Sequence, residues 1–150
     1  MKGIPAWAAA TATILCLPQI ACVVMAYLGP EGPADSIRAF AIAYGALMLC
    51  FAGGAWWGIA AGAPAAERRG GLALFWVAGA LPPLFAIALY AAWLLFAIAP
   101  QAVLVMQGAA LLLALAVDAR AAALAPRWWM RLRLPLLASL GTATIAIALA

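Results

Sequence analysis

The side chains able to do chemistry in this chain are few. Histidine is absent, and the carboxylates number only four: Glu31, Asp35, Glu67 and Asp118. Without imidazole, neither haem nor zinc held by histidine has its usual ligand. Cys16 or Cys22 with Cys50 and a nearby Met could form a soft-metal site. All three lie inside apolar runs with no close ligand spacing, so they read as small buried hydrophobes. No serine–base dyad, phosphate loop or carboxylate pair is present. No catalytic residue, cofactor or metal is therefore expected, and the protein is not expected to be an enzyme.

Asp118 is the one carboxylate that closes a long apolar run, with Arg120, Arg131 and Arg133 within reach along the chain. An ion pair is expected, and Asp118 with Arg133 is the candidate. A proton pump or ion-coupled carrier normally needs a carboxylate or imidazole along its path, and no such group falls mid-run here. Gln19, Tyr44 and Gln107 lie at similar depth in three different apolar runs and are the candidate intramembrane polar cluster. Ser139, Thr142 and Thr144 are expected to bond to local carbonyls.

Three further features concern packing. Gly53, Gly54 and Gly58 follow Tyr44-Gly45-Ala46, and Gly54 and Gly58, four apart, share one helix face. Small residues at that spacing let backbones approach closely in lipid, either inside the bundle or against a second protein. Pro82-Pro83 removes the donors that Ala78 and Gly79 would have met and is a candidate helix break. That break is either a tolerated kink or the lining of a cavity. Arg127, Trp128, Trp129, Arg131 and Arg133 interleave cations with aromatics, the composition of an anchor at headgroup level facing an anionic leaflet.

The elements that hold these residues follow from composition. Of the 150 residues, 71% are hydrophobic and 8% charged, against roughly a quarter charged in a soluble domain. Lipid must be the solvent. The net charge of +4 then sets membrane orientation and does not point to nucleic acid. Four polar interruptions, at 29–38, 62–70, Pro100-Gln101 and 118–133, leave apolar runs near the length of about 20 residues needed to cross a bilayer. The expectation is an all-α polytopic bundle, one domain over 1–150, with spans at about 5–28, 39–61, 71–97, 102–117 and 132–150. The third boundary is the least marked, because 71–117 is almost continuously apolar. The first run is too long for a secretory signal core and reads as a retained span.

Five spans put the termini on opposite sides. Lys2, Arg68, Arg69, Arg120, Arg127, Arg131 and Arg133 then share one side, and only Arg38 lies on the other. The positive-inside rule makes the N-terminus cytoplasmic and the C-terminus external. Trp7, Trp56, Trp57, Trp128 and Trp129 fall near the inner headgroups in this arrangement, and Trp93 and Tyr27 near the outer ones.

The ordered set Phe51, Gly53, Gly54, Trp57, Gly58, then Leu81-Pro82-Pro83-Leu84, Asp118, Pro126-Arg127-Trp128 and Leu132-Arg133 resembles the transmembrane protein 69-like family. The likeness covers about residues 5–150, with Trp129 where that family has tyrosine and Pro135 where a Leu-Thr pair is usual. It implies a small inner-membrane protein of about five helices, in a bacterial plasma membrane or the mitochondrial inner membrane, and implies no reaction. The expected role is a non-catalytic accessory subunit or assembly factor packing against a larger inner-membrane complex. Its partners would be the anionic inner leaflet and other integral membrane proteins, with no nucleic acid. The alternative is a carrier or binding protein for an apolar or neutral, quinone- or lipid-like molecule.

Overall fold

Backbone N–H and C=O groups have no water to bond inside a bilayer, so a spanning segment must satisfy them within a helix. The computed structural model, which describes residues 3–30, 33–63 and 72–150, has five such helices and, among those residues, no strand. They are α1 (Ala6–Leu28), α2 (Ala34–Gly62), α3 (Ala73–Phe96), α4 (Pro100–Ala121) and α5 (Trp129–Leu149). Each is long and apolar enough to cross a membrane. Lys2, Glu31, Arg68 and Arg69 lie outside the described residues, as does most of the second polar interruption.

Three of the helices, α2, α4 and α5, outrun the apolar segments that nucleate them. Asp35 and Arg38 sit inside the first turns of α2 and form an i,i+3 ion pair of 3.6 Å. Helix α4 starts at Pro100, where proline at the first position costs no hydrogen bond, and continues past Asp118 to Ala121. Helix α5 begins at Trp129, three residues before the expected span. At the boundary between α3 and α4, Ala97 adopts a left-handed φ of 51° and the Ile98 N–H reaches back to the Ala92 carbonyl at 3.3 Å.

Helix α2 is the centre of the bundle and touches the other four helices. Ala41, Ile42, Leu49, Ala52, Trp56 and Ala60 line its buried side. Two glycine pairs set the closest approaches. A Cβ on Gly53 would strike the Gly79 carbonyl oxygen, and one on Gly79 would strike Trp57, so α2 and α3 meet at near-backbone contact. Likewise a Cβ on Gly108 would lie 2.7 Å from the Gly141 oxygen, and one on Gly141 2.9 Å from the Gly108 oxygen, which closes α4 on α5.

Pro82 and Pro83 do not break α3, which is continuous from Ala73 to Phe96. The reason is local. The Gly79 carbonyl, which loses its ladder donor to Pro83, lies against Gly53, and the Pro83 ring sits 3.1 Å from the position of a Gly53 Cβ. Glycine on the neighbouring helix makes room for a carbonyl that the proline sets free.

Candidate functional site: polar groups buried between helices

The most buried charges in the described chain belong to one constellation. Asp118 from α4 is 0% exposed and Arg133 from α5 is 1% exposed. Arg133 Nε donates to Asp118 Oδ2 at 2.9 Å, and Trp56 Nε1 from α2 donates to Asp118 Oδ1 at 2.8 Å. Each carboxylate oxygen therefore answers a different helix. The Arg133 guanidinium carbon lies 5.2 Å from the Trp129 ring centroid and 5.7 Å from that of Phe51, a separation at which an aromatic face attracts a cation.

This arrangement confirms the candidate ion pair and corrects the anchor. Arg127 and Arg131 are exposed and Trp128 is half-buried, as an interfacial segment requires. Arg133 instead turns inward, because residues 129 and 133 share a helix face on which Asp118 is the available counter-charge. Trp56, expected near the headgroups, faces the bundle interior at 2% exposure. Its neighbour Trp57 is 49% exposed and donates to the Trp76 carbonyl at 2.9 Å.

The three polar side chains expected to cluster do not bond to one another. Gln19 Nε2 donates to Thr144 Oγ1 at 2.8 Å and thereby joins α1 to α5. Tyr44 Oη donates to the Leu15 carbonyl at 2.6 Å, joining α2 to α1. Gln107 Nε2 donates to the Ile42 carbonyl at 3.1 Å, joining α4 to α2. Similar depth is not similar azimuth, and each group takes the acceptor on the helix it faces. Ser139, Thr142 and Thr144 donate to the carbonyls of Pro135, Ala138 and Leu140, as expected.

The glycines of α2 divide. Gly53 is internal, whereas Gly54 and Gly58 are exposed, and beyond their chain neighbours and nearby helix backbone no described atom lies within 4 Å of the Cβ either would carry. Gly62, one turn further, is equally open. Sequence spacing correctly made Gly54 and Gly58 neighbours but did not disclose which way the face points. The packing glycines Gly79, Gly108 and Gly141 had no such signal, each standing alone in its helix.

A cleft opens where α3 and α4 meet α2. This cleft, about 590 Å³, is lined by Leu49, Trp56, Ala78, Pro82, Phe85 and Leu113 among others, and its wall is almost wholly apolar. The cysteines are separate: Cys16 is half-buried, Cys22 buried and Cys50 exposed, all as free thiols. Among the described residues no group of three or more His, Cys, Asp or Glu side chains gathers in metal-binding range.

Five apolar helices cross-linked by interhelical side-chain hydrogen bonds define the class, a polytopic membrane protein of the helical-bundle type. Within that class, the chain belongs to the family described as protein of unknown function (DUF3429), whose model matches residues 3–150. No curated protein and no solved structure matches it.

Proposed function

We propose that the protein is a non-catalytic membrane subunit that acts by helix packing, as an accessory or assembly factor for a larger inner-membrane complex. The observation that carries this reading is the outward row Gly54, Gly58 and Gly62 on α2, continued by exposed Cys50 and Ala61. Three glycines one turn apart give lipid tails little to pack against. The same smooth surface lets another transmembrane helix approach to backbone contact. The contrast with Gly53 sharpens the point. Internal packing of α2 already has its glycine, and the outer row serves nothing within the described bundle.

The partner in this reading is a helix of a different membrane protein. The test replaces Gly54 or Gly58 with Leu in the protein purified in mild detergent. Both variants should melt like the native protein and lose a stoichiometric co-purifying membrane protein, while Gly53→Leu should lower the melting temperature. Retention of the partner by both outer variants would defeat the reading. So would a native protein that purifies with no partner or only with itself.

A second reading rests on the α3–α4 cleft. Its volume and apolar wall suit an acyl or isoprenoid chain, which supports a binding protein for a quinone- or lipid-like molecule. That site lies beside Pro82 and away from the bonded Gln19, Tyr44 and Gln107. Retention of such a molecule through purification, and its loss in Ala78→Phe, would favour this reading over the first. The kinship proposed with the transmembrane protein 69-like family fits either one. In both, the arginine and lysine distribution supports an N-terminus on the cytoplasmic or matrix side.

A further inference from the structure

Next to the Asp118–Arg133 pair is a small, partly open cavity of about 140 Å³ between α1, α2 and α5, lined in part by Thr11, Phe51, Ala55, Trp129 and Arg133. Three buried nitrogens of that wall have no acceptor: Arg133 Nη1, Arg133 Nη2 and Trp129 Nε1. A guanidinium carries five N–H groups, and the salt bridge engages only the one on Nε. Asp118 does not serve them: its Oδ2 meets Arg133 Nε and its Oδ1 meets Trp56 Nε1. Thr11 directs its hydroxyl proton to the carbonyls of its own helix, at Trp7 or Ala8.

The site is rich in donors and poor in acceptors, and its shape selects further. The guanidinium carbon lies 5.7 Å and 5.2 Å from the ring centroids of Phe51 and Trp129, and the two unpartnered nitrogens, Nη1 and Nη2, form one edge of the guanidinium. Two oxygens on one atom match that edge bidentately. The charge balance agrees: residues 118–133 hold four arginines and one aspartate, a net of +3. The volume, about that of five waters, admits a phosphate group and excludes a nucleoside. The remainder of the wall, including Ala8, Leu15, Leu132 and Leu136, is apolar.

We propose that this cavity is a phosphate-type oxyanion site, with Nη1 and Nη2 of Arg133 and Nε1 of Trp129 as its donors and a phospholipid headgroup as its ligand. It is independent of the partner face on α2 and of the α3–α4 cleft. The test uses the delipidated protein in mild detergent, titrated with phosphatidylglycerol, with diacylglycerol of the same chains, and with sodium phosphate against sodium chloride at equal ionic strength. Native mass spectrometry and thermal melting report binding. Phosphatidylglycerol should bind at least about tenfold more tightly than diacylglycerol, the factor expected from charge-assisted hydrogen bonds.

Two variants leave the Asp118–Arg133 pair in place. Ala55→Leu fills the cavity, and Trp129→Phe removes one donor while keeping a ring on the guanidinium. Each should weaken phosphatidylglycerol binding by about tenfold. If Ala55→Leu fails to fold, Trp129→Phe alone decides. Displacement of the lipid by free phosphate would support the oxyanion site and show that the headgroup alone suffices. Binding of phosphatidylglycerol without such displacement would support the intact lipid as ligand. Equal binding of diacylglycerol, or unchanged binding in both variants, would overturn the proposal and leave a water-filled cavity.

Discussion

At the scale of single residues, the Asp118–Arg133 pair ties α4 to α5 at one end of the bundle. Removing one partner of a buried pair leaves an uncompensated charge, a cost of about 3–5 kcal/mol, whereas replacing both with apolar groups of similar size is often neutral. Asp118→Ala should therefore lower the melting temperature in detergent sharply, and Asp118→Leu combined with Arg133→Met should recover most of the loss. A double variant no more stable than the single one would mean that the two side chains act through other neighbours. Trp56→Phe should cost about 1.5–3 kcal/mol, the worth of a hydrogen bond to a charged group. The pair itself was legible in the sequence, because an apolar chain with one carboxylate at the end of a run offers few counter-charges. Trp56 as its third member was not. Trp56 and Trp57 are adjacent, and only the rotation of α2 about its axis decides that the first meets Asp118 and the second Trp76.

At the scale of elements, composition gave the number and type of helices, and their ends were the harder part. Charged residues marked the edges of the apolar runs, but a helix does not stop where the hydrocarbon does. Asp35, Arg38 and Asp118 are all helical, since propagation adds one hydrogen bond per residue in headgroup or lipid alike. The paired prolines are the reverse case, a candidate break through which α3 continues. Proline's lost bonds could be counted from the sequence, but the glycine on α2 that accommodates the freed carbonyl could not. A continuous helix makes a definite forecast. Pro82→Ala with Pro83→Ala should restore ladder bonds to Ala78 and Gly79, at about 1 kcal/mol each, against a loss of ring packing on Gly53. The double variant should melt at or above the native temperature. A large fall would show that the Pro83 ring on Gly53, and not the backbone ladder, holds α3 to α2.

At the scale of the whole molecule, an odd number of crossings would separate the termini, and the basic residues are the basis for the proposed orientation. Seven of the eight lysines and arginines fall on one side of a five-helix arrangement, and the inward turn of Arg133 removes one of the seven from the count of residues free to meet the leaflet. Exposed Arg120, Arg127 and Arg131 still bias the loop between α4 and α5, and each gains roughly 1 kcal/mol from an anionic surface. A reporter fused after Ala150 should therefore be active only outside the cytoplasm, and reporters inserted at 65–66 or 122–123 only inside it. Replacing Arg120, Arg127 and Arg131 with Gln should weaken this preference and yield a mixed population, whereas Arg38→Gln should leave it intact. A cytoplasmic Ala150 reporter in the native protein would mean that one of the five helices does not cross. The α3–α4 hairpin around Ala97 would then be the place to look, because its turn carries no charged residue to hold it at a surface.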